Sequence, residues 1–487
     1  MKYFVHLLLL LFVLVLPEKM EAKLRLPAFI SNNMVLQQQQ ETKIWGWSES
    51  GNSVRLKASW DNKQYATKAN SEGYWELKFN TPEAGGPYTI LLDDGEELLL
   101  ENVLIGELWF CSGQSNMEMP MKGYPAQGIE GGLQDLMHSK DDQLRLFTVK
   151  RAALASRAND VQGHWQEASP GTVADFSATA YYFGRYLREL LGVPVGLINS
   201  SLGGSFIEAW MSAESLEGLS DLPIPRTQEE VRSSTHTATA LYNGMVHPFL
   251  GMNIKGCIWY QGESNTGRPE SYKELLTQMV STWRKDWGIG DFPFYYCQIA
   301  PYDYALITPQ GEQAVNAALL REAQAQVEDL IPNCGMAVLM DAGLISDIHP
   351  RKKRQAGERL ALLALVDSYG LESPEHRSPR YSACEQRDSM LILSFDRAGL
   401  GLDRTRGSLK HFWIAGQDKV FYPAQAKINR DKIQLWSASV PKPVAARYAF
   451  DNISEGDLFG VNGQAVSSFR TDNWSRDEIK FFEKHEK

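Results

Sequence analysis

The segment Leu104–Met117 decides the fold and reads Leu-Ile-Gly-Glu-Leu-Trp-Phe-Cys-Ser-Gly-Gln-Ser-Asn-Met. Its first part, Leu104–Phe110, is a short and mostly apolar run, which predicts a buried β-strand. Gly113-Gln114-Ser115 follows at once and predicts a tight turn into a helix. A strand that leads through a turn into a helix is the repeating unit of α/β proteins, so the segment predicts a parallel sheet.

The same alternation of strand and helix continues downstream. The predicted strands are Val193–Asn199, Gly256–Tyr260, Phe292–Ala300 and Met336–Met340, and the predicted helices are Phe176–Leu191, Glu270–Trp287, Val315–Leu330 and Lys352–Tyr369. The first of these helices carries apolar residues at helical spacing, and the strand after it reads as buried. This alternation predicts a mainly parallel sheet with helices on both faces.

Both flanking regions are predicted to be β structure. Residues 24–104 contain short strand-like runs, such as Thr42–Trp47 and Val54–Ala58, separated by turn signals typical of a small sandwich. After about residue 375 the helix signal disappears, and runs such as Met390–Phe395 predict a C-terminal β region. The predicted division is a signal peptide at 1–22, an N-terminal β-sandwich at 23–104, a central α/β domain at 105–375 and a C-terminal β region at 376–487.

Composition and the first residues limit the class of protein. A chain of 487 residues is too long for one ordinary core. Its net charge of −10 argues against a nucleic-acid-binding protein, because phosphate binding needs a basic face. Lys2, the apolar run Tyr3–Leu16 and the small residue Ala22 predict an export signal and a secreted or periplasmic protein, with an uncleaved N-terminal anchor as the alternative. No other apolar stretch is long enough to span a membrane.

The cysteines offer no metal or disulfide pattern. They are Cys111, Cys257, Cys297, Cys334 and Cys384. The absence of a Cys-x-x-Cys pair argues against a zinc site, and an odd number at wide spacing is not typical of a disulfide framework. We expect mostly buried thiols, and a single disulfide remains open.

Four unusual segments follow predicted strands, at the edge of a parallel sheet where ligands and reactive groups collect. The first places Ser115 on a turn that enters a helix, so its hydroxyl is exposed and its own N–H points where an oxyanion would form. It is not the Gly-x-Ser-x-Gly elbow, because Met117 occupies the last glycine position. The second contains Gly203 and Gly204, whose unobstructed N–H groups suit an anion or oxyanion. An ordinary turn is the alternative for each.

The other two segments supply an amide, carboxylates and an imidazole. Gln261 can donate to an oxyanion, and Glu263 can orient or assist a base; both are also compatible with a polar strand end. In the fourth segment, His349 stands two residues after Asp347 and directly before Pro350. Histidine is the side chain best suited to accept a serine proton near neutral pH, and the aspartate would set its tautomer.

Together these segments resemble the sialate O-acetylesterase family, a branch of the SGNH (GDSL-like) hydrolases. The motifs that carry the resemblance are Gly113-Gln114-Ser115-Asn116-Met117-Glu118, Gly203-Gly204 with Ile207-Glu208-Ala209-Trp210, Trp259-Tyr260-Gln261-Gly262-Glu263-Ser264-Asn265 and Asp347-Ile348-His349-Pro350. Asn33–Gln37 with Trp45–Trp47 resembles the N-terminal β domain of the family, and Phe412–Gly416, Arg447–Phe450 and Phe469–Asp472 resemble its C-terminal β region. The resemblance covers most of the chain, and four motifs in the right order make it specific.

The resemblance implies a three-layer SGNH-type α/β fold and a serine esterase that needs no metal or organic cofactor. Ser115 is implied as the nucleophile, His349 as the general base and Asp347 as the residue that orients the base. The implied oxyanion hole consists of the Ser115 N–H, the Gly204 N–H and the Gln261 side chain.

The carboxylate partner of His349 has an alternative. In the superfamily the acid usually stands three residues before the histidine, but here position 346 is Ser346. Glu263 is therefore the other candidate for this role, as in related acetyl esterases with a Gln-Gly-Glu motif.

The implied reaction is two-step acyl transfer from an O-acetylated sialic acid on a glycan. The same chemistry on another acetylated polysaccharide, such as xylan, is the first alternative. A noncatalytic carbohydrate-binding protein is the second, and it is disfavoured because all four segments keep their chemical groups. Lys122 and Arg268 follow two of the motifs and could meet the carboxylate of an acidic sugar, with a solvated surface role as the alternative.

Overall fold

A computed structural model of the chain describes residues 24–61, 63–307, 315–404 and 407–482. The predicted signal peptide at 1–22 lies outside the described residues. The helices and strands of the described part fall into an N-terminal, a central and a C-terminal group along the chain.

The N-terminal strands are β1 Val35–Gln37, β2 Glu41–Trp47, β3 Ser53–Ala58, β4 Gln64–Lys68, β5 Tyr74–Asn80, β6 Gly85–Asp93 and β7 Glu97–Gly113. The central strands are β8 Asp141–Thr148, β9 Trp165–Ala168, β10 Val195–Ser201, β11 Gly256–Tyr260, β12 Phe294–Cys297 and β13 Cys334–Ala337. The α-helices are α1 Ser115–Glu118, α2 Gly132–Met137, α3 Pro170–Ala174, α4 Ala178–Leu191, α5 Ala213–Leu216, α6 Tyr272–Trp287, α7 Asn316–Val327 and α8 Lys353–Leu363. The C-terminal strands are β14 Arg380–Arg387, β15 Met390–Asp396, β16 Leu402–Arg404, β17 Phe412–Ala415, β18 Val420–Pro423, β19 Gln425–Asn429, β20 Lys432–Trp436, β21 Ala445–Tyr448, β22 Leu458–Gly460, β23 Phe469–Arg470 and β24 Lys480–Phe481.

The central sheet follows the strand order β13-β12-β11-β7-β10-β8-β9. Neighbouring strands within this sheet run parallel to each other, except for the antiparallel pair β8–β9. The predicted α/β fold with a mainly parallel sheet is therefore confirmed. Since β7 lies inside the sheet between β10 and β11, the loops that follow these three strands meet at one edge.

Helices cover both faces of this sheet, as the sequence predicts. Successive side chains of β7 point to opposite sides, as in any strand. Phe110 lies in the core beneath α6 and α7, with its ring centroid 5.9 Å from that of Trp283. Trp109 lies in the core beneath α4 and α8, 4.9 Å from the ring of Phe183. Burial of each such aromatic side chain stabilises the fold by about 1.5–3 kcal/mol.

The strand β7 belongs to two regions at once. Its first half pairs with β6 and β1, and its second half pairs with β10 and β11. The N-terminal strands form two layers, β2 with β5 and β3 with β4 and β6, whose inward side chains share one core. The predicted boundary at residue 104 therefore falls inside a continuous 17-residue strand.

The C-terminal region is β structure. One sheet has the order β14-β15-β20-β19 and another β23-β21-β17-β18-β24. Arg470 connects this region to the central one by an ion pair with Glu322 of α7, at 2.8 Å.

Three central strands differ from the sequence prediction. The strands β8 and β9 are missing from it, because β8 has only a short apolar stretch and carries the buried Arg145. The strand predicted at Met336–Met340 is observed at Cys334–Ala337. The residues after Ala337 are apolar because they are buried, and they lie beyond the end of the strand. The Val338 carbonyl accepts a hydrogen bond from the Arg359 side chain, and the Met340 carbonyl accepts one from the Gly456 N–H.

The cysteines are free thiols in the described part of the chain. Cys384 is half-buried, and the other four are buried. No α-helix within the described ranges is long and apolar enough to cross a membrane.

Candidate active site

The site lies where three neighbouring strands end. Gly113 at the end of β7 is in register with Ser201 of β10 and with Tyr260 of β11. The sheet register thereby brings the loops that begin at Gln114, Leu202 and Gln261 to one place. This is the arrangement expected from strands that all run in the same direction.

Ser115 is the first residue of α1, and it is 9% exposed. The preceding Gly113 has φ +139°, and a Cβ there would lie 2.1 Å from the Tyr260 carbonyl oxygen, so the turn requires glycine. The Ser115 N–H has no acceptor inside the helix, since the first N–H groups of a helix never do. Neither this N–H nor the Ser115 hydroxyl bonds to another described residue.

The loop after β10 packs directly against Ser115. A Cβ on Gly203 would lie 3.2 Å from the Ser115 Cβ, and the Gly203 N–H donates to Glu118 Oε2 at 2.8 Å. Gly204 is exposed, has φ +72°, and its N–H makes no hydrogen bond within the described part of the chain. The N–H groups of Ser115 and Gly204 are thus both available to a ligand.

Gln261 is not available in the same way. Its Nε2 donates to the Ser205 carbonyl oxygen at 3.1 Å and to Asn265 Oδ1 at 2.7 Å, which uses both amide hydrogens. Its Oε1 accepts from Tyr272 Oη at 2.7 Å, and the residue is fully buried. The Gln261 side chain is therefore bonded on all sides to neighbouring residues, and it has no N–H left to donate to a ligand.

His349 lies next to Asp347, but the two side chains are not directly bonded. His349 Nδ1 is 4.0 Å from Asp347 Oδ1, which exceeds a hydrogen-bond distance. Gln127 lies between them: its Nε2 donates to Asp347 Oδ1 at 2.9 Å, and its Oε1 is 2.9 Å from His349 Nδ1. Because a carboxylate only accepts, Nε2 must face Asp347, and Oε1 then accepts from the His349 Nδ1–H. In the neutral imidazole this leaves Nε2 unprotonated.

Gln127 is the residue that sequence reasoning missed. It lies on a turn closed by two backbone hydrogen bonds with Tyr124, and a Cβ on Gly123 would lie 2.3 Å from the Gln127 carbonyl oxygen. The Tyr124 ring packs edge-on against the His349 ring at 5.1 Å. The local sequence shows only a turn, and its contact with a residue more than 200 positions away depends on the tertiary fold.

Asn116, the residue after Ser115, connects the Ser115 helix to the loop that carries His349. Asn116 Nδ2 donates to the Ile348 carbonyl oxygen at 3.1 Å, so the residue after Ser115 touches the residue before His349. Burial, together with the positive charge of Lys353, lowers the pKa of His349 to about 4, and Asp347 opposes this shift. The imidazole is therefore neutral across the ordinary pH range and can act as a proton acceptor.

Glu263 does not bond to His349; it bonds to Asn116. Asn116 Nδ2 donates to Glu263 Oε1 at 2.5 Å, while Glu263 Oε2 is buried without a hydrogen-bond partner in the described structure. On the other side, Lys353 Nζ donates to Asn116 Oδ1. Burial raises the pKa of Glu263, and the Asn116 hydrogen bond and the Lys353 charge oppose that rise.

The two cations that the sequence singles out, Arg268 and Lys122, have carboxylate partners. Arg268 NH1 lies 2.8 Å from Oε1 of the fully buried Glu208, and the guanidinium is 5.0 Å from the Phe206 ring centroid. Lys122 is paired with Asp175, and both side chains are exposed. Arg268 remains 44% exposed next to the loop that holds Gly204, so part of its guanidinium can still meet a ligand.

Comparisons with known proteins show which family the chain resembles. The family model described as carbohydrate esterase, sialic acid-specific acetylesterase matches residues 105–365. Sialate O-acetylesterase of Rattus norvegicus is 26% identical over 456 residues, which cover 81% of this chain and 83% of that protein. The Homo sapiens sialate O-acetylesterase is 28% identical over 391 residues, 73% of each chain.

A solved structure covers more of the chain. The crystal structure of a carbohydrate acetylesterase from Xanthomonas citri is 34% identical, with a TM-score of 0.84 over 93% of this chain and 100% of that one. The residues that the family model matches, 105–365, include Ser115, His349 and the strands β8 to β13. The chain therefore belongs to the carbohydrate esterase family described as sialic acid-specific acetylesterase, and it is a carboxylic ester hydrolase.

Proposed function

We propose that the protein is a serine esterase that removes O-acetyl groups from sugars through an acetyl-Ser115 intermediate. The observation that carries the proposal is the placement of Ser115 at the end of the central strand, with two unbonded N–H groups and a neutral imidazole around it. These groups match the nucleophile, oxyanion site and base that acyl transfer requires.

In the first step, Ser115 Oγ attacks the carbonyl carbon of the acetyl ester, and His349 Nε2 takes the hydroxyl proton. The negative charge that forms on the carbonyl oxygen is stabilised by the N–H groups of Ser115 and Gly204. When the tetrahedral species collapses, the sugar oxygen leaves with the proton from His349. Preorganised donors of this kind typically contribute about 10²–10³-fold to the rate each.

In the second step, water attacks the acetyl group on Ser115. His349 removes a proton from that water and returns it to Ser115 Oγ, and acetate leaves. The roles of base and acid are filled by one imidazole, as in other serine hydrolases.

Asp347 acts on the base through Gln127. Asp347 orients the Gln127 amide, and the amide carbonyl holds His349 in the tautomer that leaves Nε2 free. We do not include Gln261 among the oxyanion donors, because both of its amide hydrogens have other acceptors. Glu263 holds Asn116 in this proposal and is not the partner of His349.

The first experiment is acetate release from p-nitrophenyl acetate by Ser115→Ala. We expect kcat/KM to fall by at least about 10³-fold. Ser112→Ala is the matched control, because Ser112 is a buried serine near the end of β7, three residues before Ser115, and its hydroxyl has no hydrogen-bond partner in the described structure. Undiminished turnover by Ser115→Ala would contradict the proposed nucleophile.

The proposed substrate is an O-acetylated sialic acid, since the family model and the mammalian relatives carry that description. Arg268 supports it, as an exposed guanidinium beside the Gly204 loop can meet a sugar carboxylate. The second candidate is another acetylated polysaccharide such as xylan. This second candidate is supported by the similarity, over 93% of this chain, to a Xanthomonas citri enzyme that is described only as a carbohydrate acetylesterase.

A side-by-side assay separates the two substrates. Purified enzyme is offered O-acetylated sialic acid and acetylated xylan, and Arg268→Met is compared with Lys122→Met, which removes the other candidate cation. If the sialic acid is the substrate, Arg268→Met raises KM for it alone. A clear preference of the unmodified enzyme for xylan would favour the second candidate.

Export remains a proposal that rests on Lys2, Tyr3–Leu16 and Ala22. Expression of the full chain in a secreting host, followed by sequencing of the mature N-terminus, tests it. Cleavage near Ala22 is the expected result, and a retained Met1 in the exported protein would support the anchor instead.

A further inference from the structure

Lys353 is a buried lysine whose ammonium group lies beside Asn116, the residue after Ser115. It is 1% exposed and lies at the start of α8, four residues after His349. Its Nζ donates to Asn116 Oδ1 and lies 5.8 Å from the centre of the Tyr260 ring. A buried ammonium is costly: burial lowers the pKa of Lys353 to about 7, while Glu263, Cys297 and Asp347 oppose that shift, so the ammonium form prevails below about pH 7.

The contacts of Lys353 fix the orientation of the Asn116 amide. An ammonium only donates, so Oδ1 must face Lys353, while the Ile348 carbonyl and Glu263 accept from Nδ2. If the amide turned over, Nδ2 would face a donor and Oδ1 would face two acceptors. Lys353 thus determines which way Asn116 points.

Three segments meet at this amide. Asn116 belongs to the helix that begins at Ser115, Glu263 to the loop after β11, and Ile348 to the loop that carries His349. The positive charge of Lys353 also acts on His349, since like charge disfavours protonation of a neighbouring base.

We propose that Lys353 is a positioning residue of the active site, which ties the Ser115 helix to the His349 loop through Asn116. The inference rests on the proposed roles of Ser115 and His349. It extends them to a residue that touches neither the substrate nor the reacting atoms.

Other charged and titratable groups face the same two side chains. Lys353 is faced by Glu263, Asp347 and Cys297, and His349 is faced by Asp347 and Tyr124. Asp347 acts on His349 in the opposite direction to Lys353. A change that removes only the lysine charge therefore has a defined sign: the acidic limb of the pH–rate profile moves to higher pH.

The test compares two variants of Lys353 by the pH dependence of kcat/KM for p-nitrophenyl acetate. Lys353→Gln keeps a donor for Asn116 but removes the charge, so we expect the plateau within about threefold and an acidic limb about 0.5–1 pH unit higher. Lys353→Met removes both donor and charge in an unbranched apolar chain, so we expect the same shift and a plateau at least about 10-fold lower.

Two controls isolate the effect. Lys352→Gln removes the same charge one residue away, where Nζ donates to the Asp341 carbonyl oxygen, and should leave the profile unchanged. Glu263→Gln removes the opposite charge and should not move the limb upward.

An unchanged acidic limb in both Lys353 variants overturns the inference. If Lys353→Gln does not fold, as judged by its thermal unfolding transition, the limb of Lys353→Met decides. Ser115→Ala is assayed in parallel: if it retains activity, the proposed function fails, whereas an inactive Ser115→Ala with unshifted Lys353 variants refutes only the role of Lys353.

Discussion

The two carboxylates near Ser115 differ in how they reach the reacting groups. On one side, Asp347 Oδ1 receives two hydrogen bonds, from Gln127 Nε2 and from the His349 backbone N–H. On the other side, Glu263 receives one from Asn116, and its second oxygen has no partner in the described structure. Each carboxylate acts through a side-chain amide, and neither bonds to the imidazole.

This difference separates two tasks. In the proposed mechanism, the Asp347–Gln127 side sets the tautomer of His349, which matters for each proton transfer. The Glu263–Asn116–Lys353 side holds the loops together with buried charges, which matters for geometry and stability. The comparison can be tested by breaking each amide and each carboxylate in turn.

The largest effect is expected from Asn116→Leu. It leaves Lys353 and Glu263 buried without their shared partner, and the loss of one partner of a buried charge costs about 3–5 kcal/mol. The free energy of unfolding should fall by that amount in denaturant titrations, and kcat by at least about 10²-fold. Thr179→Val is the control, since it removes a hydrogen bond to the Asn116 backbone carbonyl and leaves the amide in place. A fully active and stable Asn116→Leu would contradict the role of this side.

Gln127→Ala should lower kcat by about 10–100-fold, because His349 Nδ1 loses its acceptor and the imidazole is free to rotate. Stability should change by less than about 1 kcal/mol, since Gln127 is only half-buried. Steady-state kinetics and thermal unfolding measure the two quantities. Gln127→Glu keeps an acceptor for His349 and should recover part of kcat; a Gln127→Ala enzyme as fast as the unmodified one would remove the bridge from the mechanism.

Asp347→Asn should have a smaller effect, about 3–10-fold in kcat. The asparagine Oδ1 can still accept from Gln127 Nε2, so the bridge is weakened but not inverted. A carboxylate bonded directly to the imidazole would lose about 10⁴-fold on the same change. The size of the loss in kcat therefore decides between a bridged and a direct contact.

The smallest effect is expected from pH itself. Because the pKa of His349 is lowered to about 4, the imidazole is already neutral in mild acid, and kcat/KM should stay constant from about pH 5 to 6. Above that range Lys353 begins to lose its charge, since burial lowers its pKa to about 7. Activity should be lost as the pH falls through about 4, when the imidazole takes a proton. An acidic limb near pH 6.5, the ordinary value for histidine, would show that Lys353 and burial do not act on it as described.

The sequence predicts the frame of the site better than its hydrogen bonds. Strands such as Gly256–Tyr260 and helices such as Phe176–Leu191 follow from apolar periodicity, and strand direction then collects Ser115, Gly204 and Gln261 at one edge. Whether a side chain at that edge is free is a tertiary property. Gln261 has its donors occupied, and Gln127 enters from a turn with no local signal.

The continuous strand that ends at Gly113, two residues before Ser115, has a consequence for dividing the chain into separate folding units. At about 3.3 Å per residue, the 17 residues of β7 span about 56 Å, and they join the N-terminal layers to the turn before Ser115 without a hinge. The N-terminal layers therefore supply the hydrogen-bond partner of the first half of the strand whose second half leads to Ser115. Cutting the protein at residue 105 would leave the truncated strand without its β6 partner.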